Sequence, residues 1–169
     1  PWEQKGCLIP VCSHHVSDAA SIEALADWRT NGEYAYPTRF PISTKGTRNW
    51  LLSSVLNNER RILFFVADSL LRPIGHIGLV VREDGITELD NVLRGLPDHP
   101  GLMSDAVKAL EVWIREQLDV AWVELRVLAS NERAIAFYEE LGYVEIARQP
   151  LKWEASELGS TLVPSDAAL

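Results

Sequence analysis

Glu88 and Asp90 stand two residues apart in the stretch ITELDNVL. Side chains alternate along an extended segment, so these two carboxyls share one face. Carboxylates held near one another push one pKa upward, which makes a general base that works near neutrality. A pair of solvated or salt-bridged acids beside a hairpin is the other reading. His76, in PIGHIGL, is a rival base because an unperturbed imidazole already titrates in the useful range. It can equally be a structural histidine. Tyr138 brings a different chemistry. In NERAIAFYEELGY, residues Ala134, Phe137, Tyr138 and Leu141 recur at helical spacing and form one apolar face. A phenol stays neutral at pH 7 and can donate a proton in a hydrogen bond. A core tyrosine whose hydroxyl finds a partner stands beside that use.

Two further groups of residues bear on ligands. Cys7, Cys12, His14 and His15 follow one another closely in GCLIPVCSHH. Their spacing fits no common structural zinc site, so no metal is expected. In an extended segment the two cysteines point to opposite faces, and a bridge between them is not expected. Reduced thiols in a cytoplasmic protein follow. Residues 29–48 hold Arg29, Arg39, Lys45 and Arg48 against Glu33 alone, a local +3 in a chain of net charge −8. Solvated loop chemistry explains such a patch, and so does an anionic ligand.

The elements that must position these residues can be read from periodicity. CLIPVCS is a short edge strand interrupted by Pro10. Asp18 caps a helix through Ile22, Leu25, Ala26 and Trp28 that ends near Gly32. The loop NGEYAYPTRFPIS carries three aromatics, and a second helix spans roughly Thr47 to Asn57. RILFFVAD, PIGHIGLVVRE and ITELDNVL form a meander turning at Asp84–Gly85. Leu102, Met103, Ala106, Val107, Leu110, Trp113, Ile114 and Leu118 trace a long helix. AWVELRVLA is a strand, NERAIAFYEELGY a helix capped by Asn131 and stopped at Gly142, and YVEIAR another strand. LKWEA adds a last strand, and the polar tail from Ser156 has no assigned structure. The order is mixed α/β, antiparallel first and built by crossovers later.

Length and composition bound the class. The 169 residues suit one domain with a sizeable core. The negative balance lacks the basic footprint of a nucleic-acid binder. No apolar run reaches membrane-span length and no secretory pattern opens the chain.

The order of elements, the run ASNERAIAFYEELGYVE and, less cleanly, the run PGLMSDAVKALEVWI resemble the GNAT-type N-acetyltransferases over about residues 20 to 150. The resemblance implies a mixed, mostly antiparallel central sheet of six to seven strands flanked by about four helices, splayed between the fourth and fifth strands. It implies a single acyltransferase domain over 1–155 with a C-terminal tail over 156–169. The activity would be transfer of an acyl group, acetyl in the first instance, from acyl-CoA to a primary amine by direct attack, with no metal.

Site residues follow from the same resemblance. A backbone N–H near Val92 or Leu93 would meet the oxyanion, with pantetheine lying along that strand. Gly101, Leu102, Met103 and Ser104 would hold the pyrophosphate at a helix N-terminus, with Arg94 adding positive charge. Met103 and Asp98 depart from the family pattern of that loop. Asn131 would contact the cofactor, with Ala134 and Phe137 of the same helix beside it. Tyr138 would protonate the leaving thiolate, and Glu88 lies about where histone-type members carry their catalytic glutamate. LADWR and the aromatic loop after it are similar to those of members acting on nucleotide-linked amino sugars. Trp28, Arg29, Tyr36 and Phe40 would then bind the acceptor. A protein N-terminus of the ribosomal-protein kind, or a non-catalytic acyl-CoA-binding module, are the alternatives. A homodimer is expected, with no nucleic acid or membrane partner.

Overall fold

The computed structural model describes residues 5–166. The apolar run RILFFVAD becomes β3 (Arg61–Asp68), buried from Leu63 onward. Such a β-branched and aromatic run suits a strand covered on both faces. It pairs antiparallel with β1 (Gly6–Pro10) on one side and with β4 (Pro73–Val81) on the other. β4 pairs antiparallel with β5 (Thr87–Arg94). A short β6 (Glu124–Leu125) closes the sheet, running parallel to β5. Only Glu88 and Leu89 of β5 pair with β6, so the two strands part beyond that point. A separate three-stranded sheet holds β2 (Thr38–Arg39), β8 (Gly159–Pro164) and β7 (Leu151–Ser156), in that spatial order.

The chain divides into two compact units. Among the described residues, 5–28 together with Thr44–Arg126 form the first, and Arg29–Ser43 with 127–166 form the second. In the first unit the two faces of β3 are covered differently. Leu63 and Phe65 pack with Ile22, Leu25 and Trp28 of α2 (Ala19–Asn31) and with Leu51 and Val55. Those last two lie in a π-helical turn (Leu51–Leu56) that continues α3 (Thr44–Trp50). Phe64 points the other way, its ring 6.1 Å from that of Trp113 on α4 (Leu102–Leu118). The apolar stripe of α4, with Val107, Leu110 and Ile114 fully buried, is the one its spacing predicts. A short α1 (Ser13–Ser17) precedes α2.

Several expectations need correction. The mixed, mostly antiparallel α/β class is the one expected, with five α-helices where about four were read, but the central sheet among the described residues has five strands rather than six to seven. AWVELRVLA shrinks to the two residues of β6. YVEIAR forms no strand among the described residues, and Val144 and Ile146 stand 78% and 75% exposed. Its alternating pattern makes it fit to be extended, but a strand also needs a partner in register, which periodicity does not reveal. Residues 156–164, left without structure by their polar composition, complete a β7–β8 hairpin. Gly159 is required there, because a Cβ would come 1.9 Å from the Arg39 carbonyl oxygen. The second helix begins earlier than expected, at Thr44. Among the described residues no helix is long and apolar enough to cross a membrane.

Candidate active site

Glu88 and Asp90 do share a face of β5, and each meets an arginine. Asp90 pairs with Arg61 at 2.9 Å, and Glu88 with Arg126 at 3.4 Å and Arg82 at 3.8 Å. Burial pushes the Glu88 carboxyl above the ordinary glutamate range; Arg126 opposes this and Asp90 adds to it. The three arginines were missed in the sequence. Nothing in their local spacing announces them, because Arg61 comes from the start of β3, across β4, and Arg126 from just beyond β6.

β5 bulges just beyond this pair. His76 faces Leu93 and Gly78 faces Asp90, so Asn91 and Val92 stand together opposite Ile77. Asn91 takes a left-handed conformation with φ 49°, which asparagine tolerates better than most residues. The expected oxyanion-binding strand segment, Val92 and Leu93, therefore begins at a bulge and runs on past the reach of β6. His76 holds the bulge in place. Its Nδ1 lies 2.6 Å from the Asn91 carbonyl oxygen, which can only accept, so Nδ1 carries the proton. The ring is 2% exposed, and burial holds its pKa down to about 4. The imidazole, named as a rival base, is thus closed off from water and bonded to the β5 backbone.

At the far end of β5, Gly95 lies so close to Trp28 that a Cβ would come 2.1 Å from its ring. Trp28 is 6% exposed and packs on Phe65 and toward His76. Trp28, expected among the acceptor contacts, thus sits in the hydrophobic core cluster. Arg94 is exposed.

α4 starts as its glycine suggested. Gly101 adopts φ 83°, with open space where a Cβ would be, and accepts from the Asp105 N–H at 3.0 Å. First-turn N–H groups have no partner within a helix, so those of Met103 and Ser104 are available to an anion. Met103 itself is buried, so its bulk is turned into the core and not toward the loop. Asp98 is exposed. The charge that Asp98 fails to supply stands nearby in residues the sequence did not single out. His99 lies 3.1 Å from Arg72 and 3.5 Å from the buried Asp68. Asp68 also accepts from the Leu70 and Arg72 N–H groups, which, led by Arg72, hold its carboxyl low. This arrangement fixes Arg72 beside the turn that leads into α4.

In the second unit, Asn131 caps α5 (Glu132–Glu140) by accepting from the Ala134 N–H at 3.2 Å. Its side-chain oxygen is thus engaged, and its amide NH2 is the group left for a ligand. Gly142, at φ 92°, ends the helix. Tyr138 is half-buried against Phe137 and Tyr143. Burial first, then Tyr36, pushes its pKa up to about 12, so the phenol keeps its proton at every working pH. Ala134 and Phe137 are half-buried on the same helix. Arg29 lies 3.7 Å over the Tyr36 ring and 5.5 Å from that of Phe40, and donates to the Thr38 carbonyl at 2.8 Å. Its Nη1 is buried with no hydrogen-bond partner among the described residues. The structure thus gathers Arg29, Tyr36 and Phe40, and leaves Trp28 out.

Comparison with known proteins places the fold. The Acetyltransferase (GNAT) domain family matches residues 7–144. No curated protein sequence matches the chain. Among solved structures, spermidine N-acetyltransferase from Vibrio cholerae in complex with CoA and spermine is similar, at 15% identity and TM-score 0.67, over 94% of this chain and 92% of that one. An aminoglycoside antibiotic 6'-N-acetyltransferase from Acinetobacter haemolyticus is similar at 15% identity and TM-score 0.62, over 89% of this chain and 99% of that one. At such identities the likeness is one of fold. With the family match covering most of its length, the chain belongs to the GNAT family of acyl-CoA-dependent N-acetyltransferases.

Proposed function

We propose that the chain moves an acetyl group directly from acetyl-CoA to the primary amine of a nucleotide-linked amino sugar. The observation that carries the transfer is the bulge of β5 at Asn91 and Val92, followed by strand backbone that β6 does not pair. Such backbone can offer an N–H to developing negative charge, a contribution typically on the order of 10²–10³ in rate. Acetyl-CoA supplies the thioester, with its pyrophosphate on the first turn of α4 and Arg72 and His99 as nearby positive or donor groups. Glu88, raised toward neutrality, takes the amine proton directly or through a water. Tyr138, always protonated, gives its proton to the departing thiolate and is then restored from solvent.

Arg29 and its aromatic neighbours support an acceptor that carries negative charge. A buried guanidinium nitrogen without a partner is costly, and a phosphate would relieve it. The solved neighbours named for spermidine and aminoglycosides suggest the second reading, a polycationic amine. The −11 that remains outside residues 29–48 favours that reading.

A thiol-release assay distinguishes them. Acetyl-CoA and longer acyl-CoAs would be run against nucleotide-linked amino sugars, polyamines, aminoglycosides and N-terminal peptides. Turnover on the amino sugars, reduced in Arg29→Gln through KM, is the expected result. Turnover confined to polyamines, aminoglycosides or peptides rejects the proposed acceptor. Tight acyl-CoA binding with no turnover on any amine rejects the catalytic proposal itself.

A further inference from the structure

We infer that Cys12, His14 and His15 form a binding site for one borderline-soft transition-metal ion of the zinc class. All three lie in the first unit, at the corner between β1 and α1. The Cys12 thiol sulfur and one nitrogen from each imidazole lie within 4.8 Å of one another. A tetrahedral ion bound at about 2.3 Å to sulfur and about 2.0–2.1 Å to nitrogen needs those atoms roughly 3.3–3.6 Å apart. The gap to close is therefore about 1 Å, and Cys12 and His14 are exposed and free to turn. His15 is the fixed member, buried with its ring 5.4 Å from that of Phe65. The two imidazoles already stand 3.8 Å apart, centroid to centroid. One thiolate and two neutral imidazoles is a donor set for zinc, cobalt or copper, and not for magnesium or calcium.

Spacing alone hid this site, because the ligands come from four consecutive residues and resemble no finger or ribbon. A local contact assembles it. The His15 Nδ1 accepts from the Cys12 N–H at 3.0 Å, which folds the ring back over the start of α1. Metal binding must give up that contact. If Nδ1 ligates, its lone pair goes to the ion; if Nε2 ligates, the ring proton moves to Nδ1. The Cys12 thiol, which now donates to the Pro10 carbonyl at 3.3 Å, loses its proton to the buffer as the metal–sulfur bond forms. Asp18, whose charge already acts on His15, adds a favourable negative potential. Three protein ligands leave the fourth position for water or an external ligand.

Cobalt(II) is the probe, because a thiolate ligand gives a near-ultraviolet charge-transfer band and a tetrahedral site gives intense visible bands. The chain of 169 residues, with its thiols kept reduced, should bind one equivalent with both signatures, and zinc should abolish them by displacement. Cys12→Ser should remove the charge-transfer band, and His14→Gln should weaken binding by at least about tenfold, the lower end of what disturbing a metal site costs. Cys7→Ser is the control and should change neither. Circular dichroism and amide-exchange spectra of each variant establish that it is folded. The inference is overturned if the folded wild type shows no band, or if the band survives Cys12→Ser or vanishes in Cys7→Ser. None of these readouts depends on acetyl transfer.

Discussion

Tyr138 is the residue on which the proposed chemistry can be cut most cleanly. Phenylalanine keeps the ring that packs on Phe137 and Tyr143 and removes the proton. Tyr138→Phe should lower kcat by about 10²-fold or more, as loss of a general acid does, with the KM for acetyl-CoA little changed. A steady-state comparison of the two proteins checks it, and unchanged kcat would return Tyr138 to a packing role. Glu88 predicts a pH effect. Its raised pKa places the acid limb of kcat/KM above the ordinary glutamate range, and Glu88→Gln should abolish that limb. His76 predicts stability instead of rate. Its folded pKa of about 4 lies below the ordinary 6.5, so the unfolded chain binds the extra proton first. The stability it contributes is full above about pH 6.5 and is lost as pH falls through 4, on the order of 3 kcal/mol in all. Urea midpoints measured between pH 7 and pH 4 should fall, and His76→Asn, whose amide can still donate to Asn91, should fall less. Tyr138, Glu88 and Asp90 were visible as chemistry in the sequence because their types and spacing were local facts. Burial was not, and it is the burial of His76 and Trp28 that periodicity left unread.

Elements were legible wherever they end by their own chemistry. Asn131 and Gly142 bracket α5 as read, since a cap bond and a left-handed turn involve only near neighbours. The meander β3–β4–β5 was legible for the same reason, each strand following the last through a short turn. YVEIAR failed because its fate depends on a distant partner, and the bulge in β5 escaped because two strands must be compared to see it. Gly101 offers a test at this scale. Alanine there meets no neighbour, so its cost is the left-handed backbone alone, about 1–2 kcal/mol. Gly101→Ala should lower the thermal midpoint by several degrees and weaken acetyl-CoA binding, measured by calorimetry, as the first turn of α4 shifts. Unaltered binding in a destabilised protein would separate the turn from the pyrophosphate site.

Over the whole molecule, the resemblance carried the fold class, while the division into two units was not visible. Composition cannot reveal it, because the second unit is made of two stretches separated by the greater part of the first. The hairpin β7–β8 is the piece that joins those stretches into one sheet. A chain ending at residue 150 should keep the secondary-structure signal of the first unit and lose turnover on any acceptor, because Thr38 and Arg39 lose their only strand partner among the described residues. Exchange protection and a thiol-release rate on the shortened protein check the two halves of that expectation.

That same pairing sets a timetable for synthesis. Thr38 leaves the ribosome long before Thr161, the residue it must face. At ordinary elongation rates the wait is about ten seconds, far longer than a hairpin needs to form. The meander can therefore close while the loop around Arg29 is still without its sheet, and the nascent enzyme acquires the stretch proposed to recognise its acceptor last.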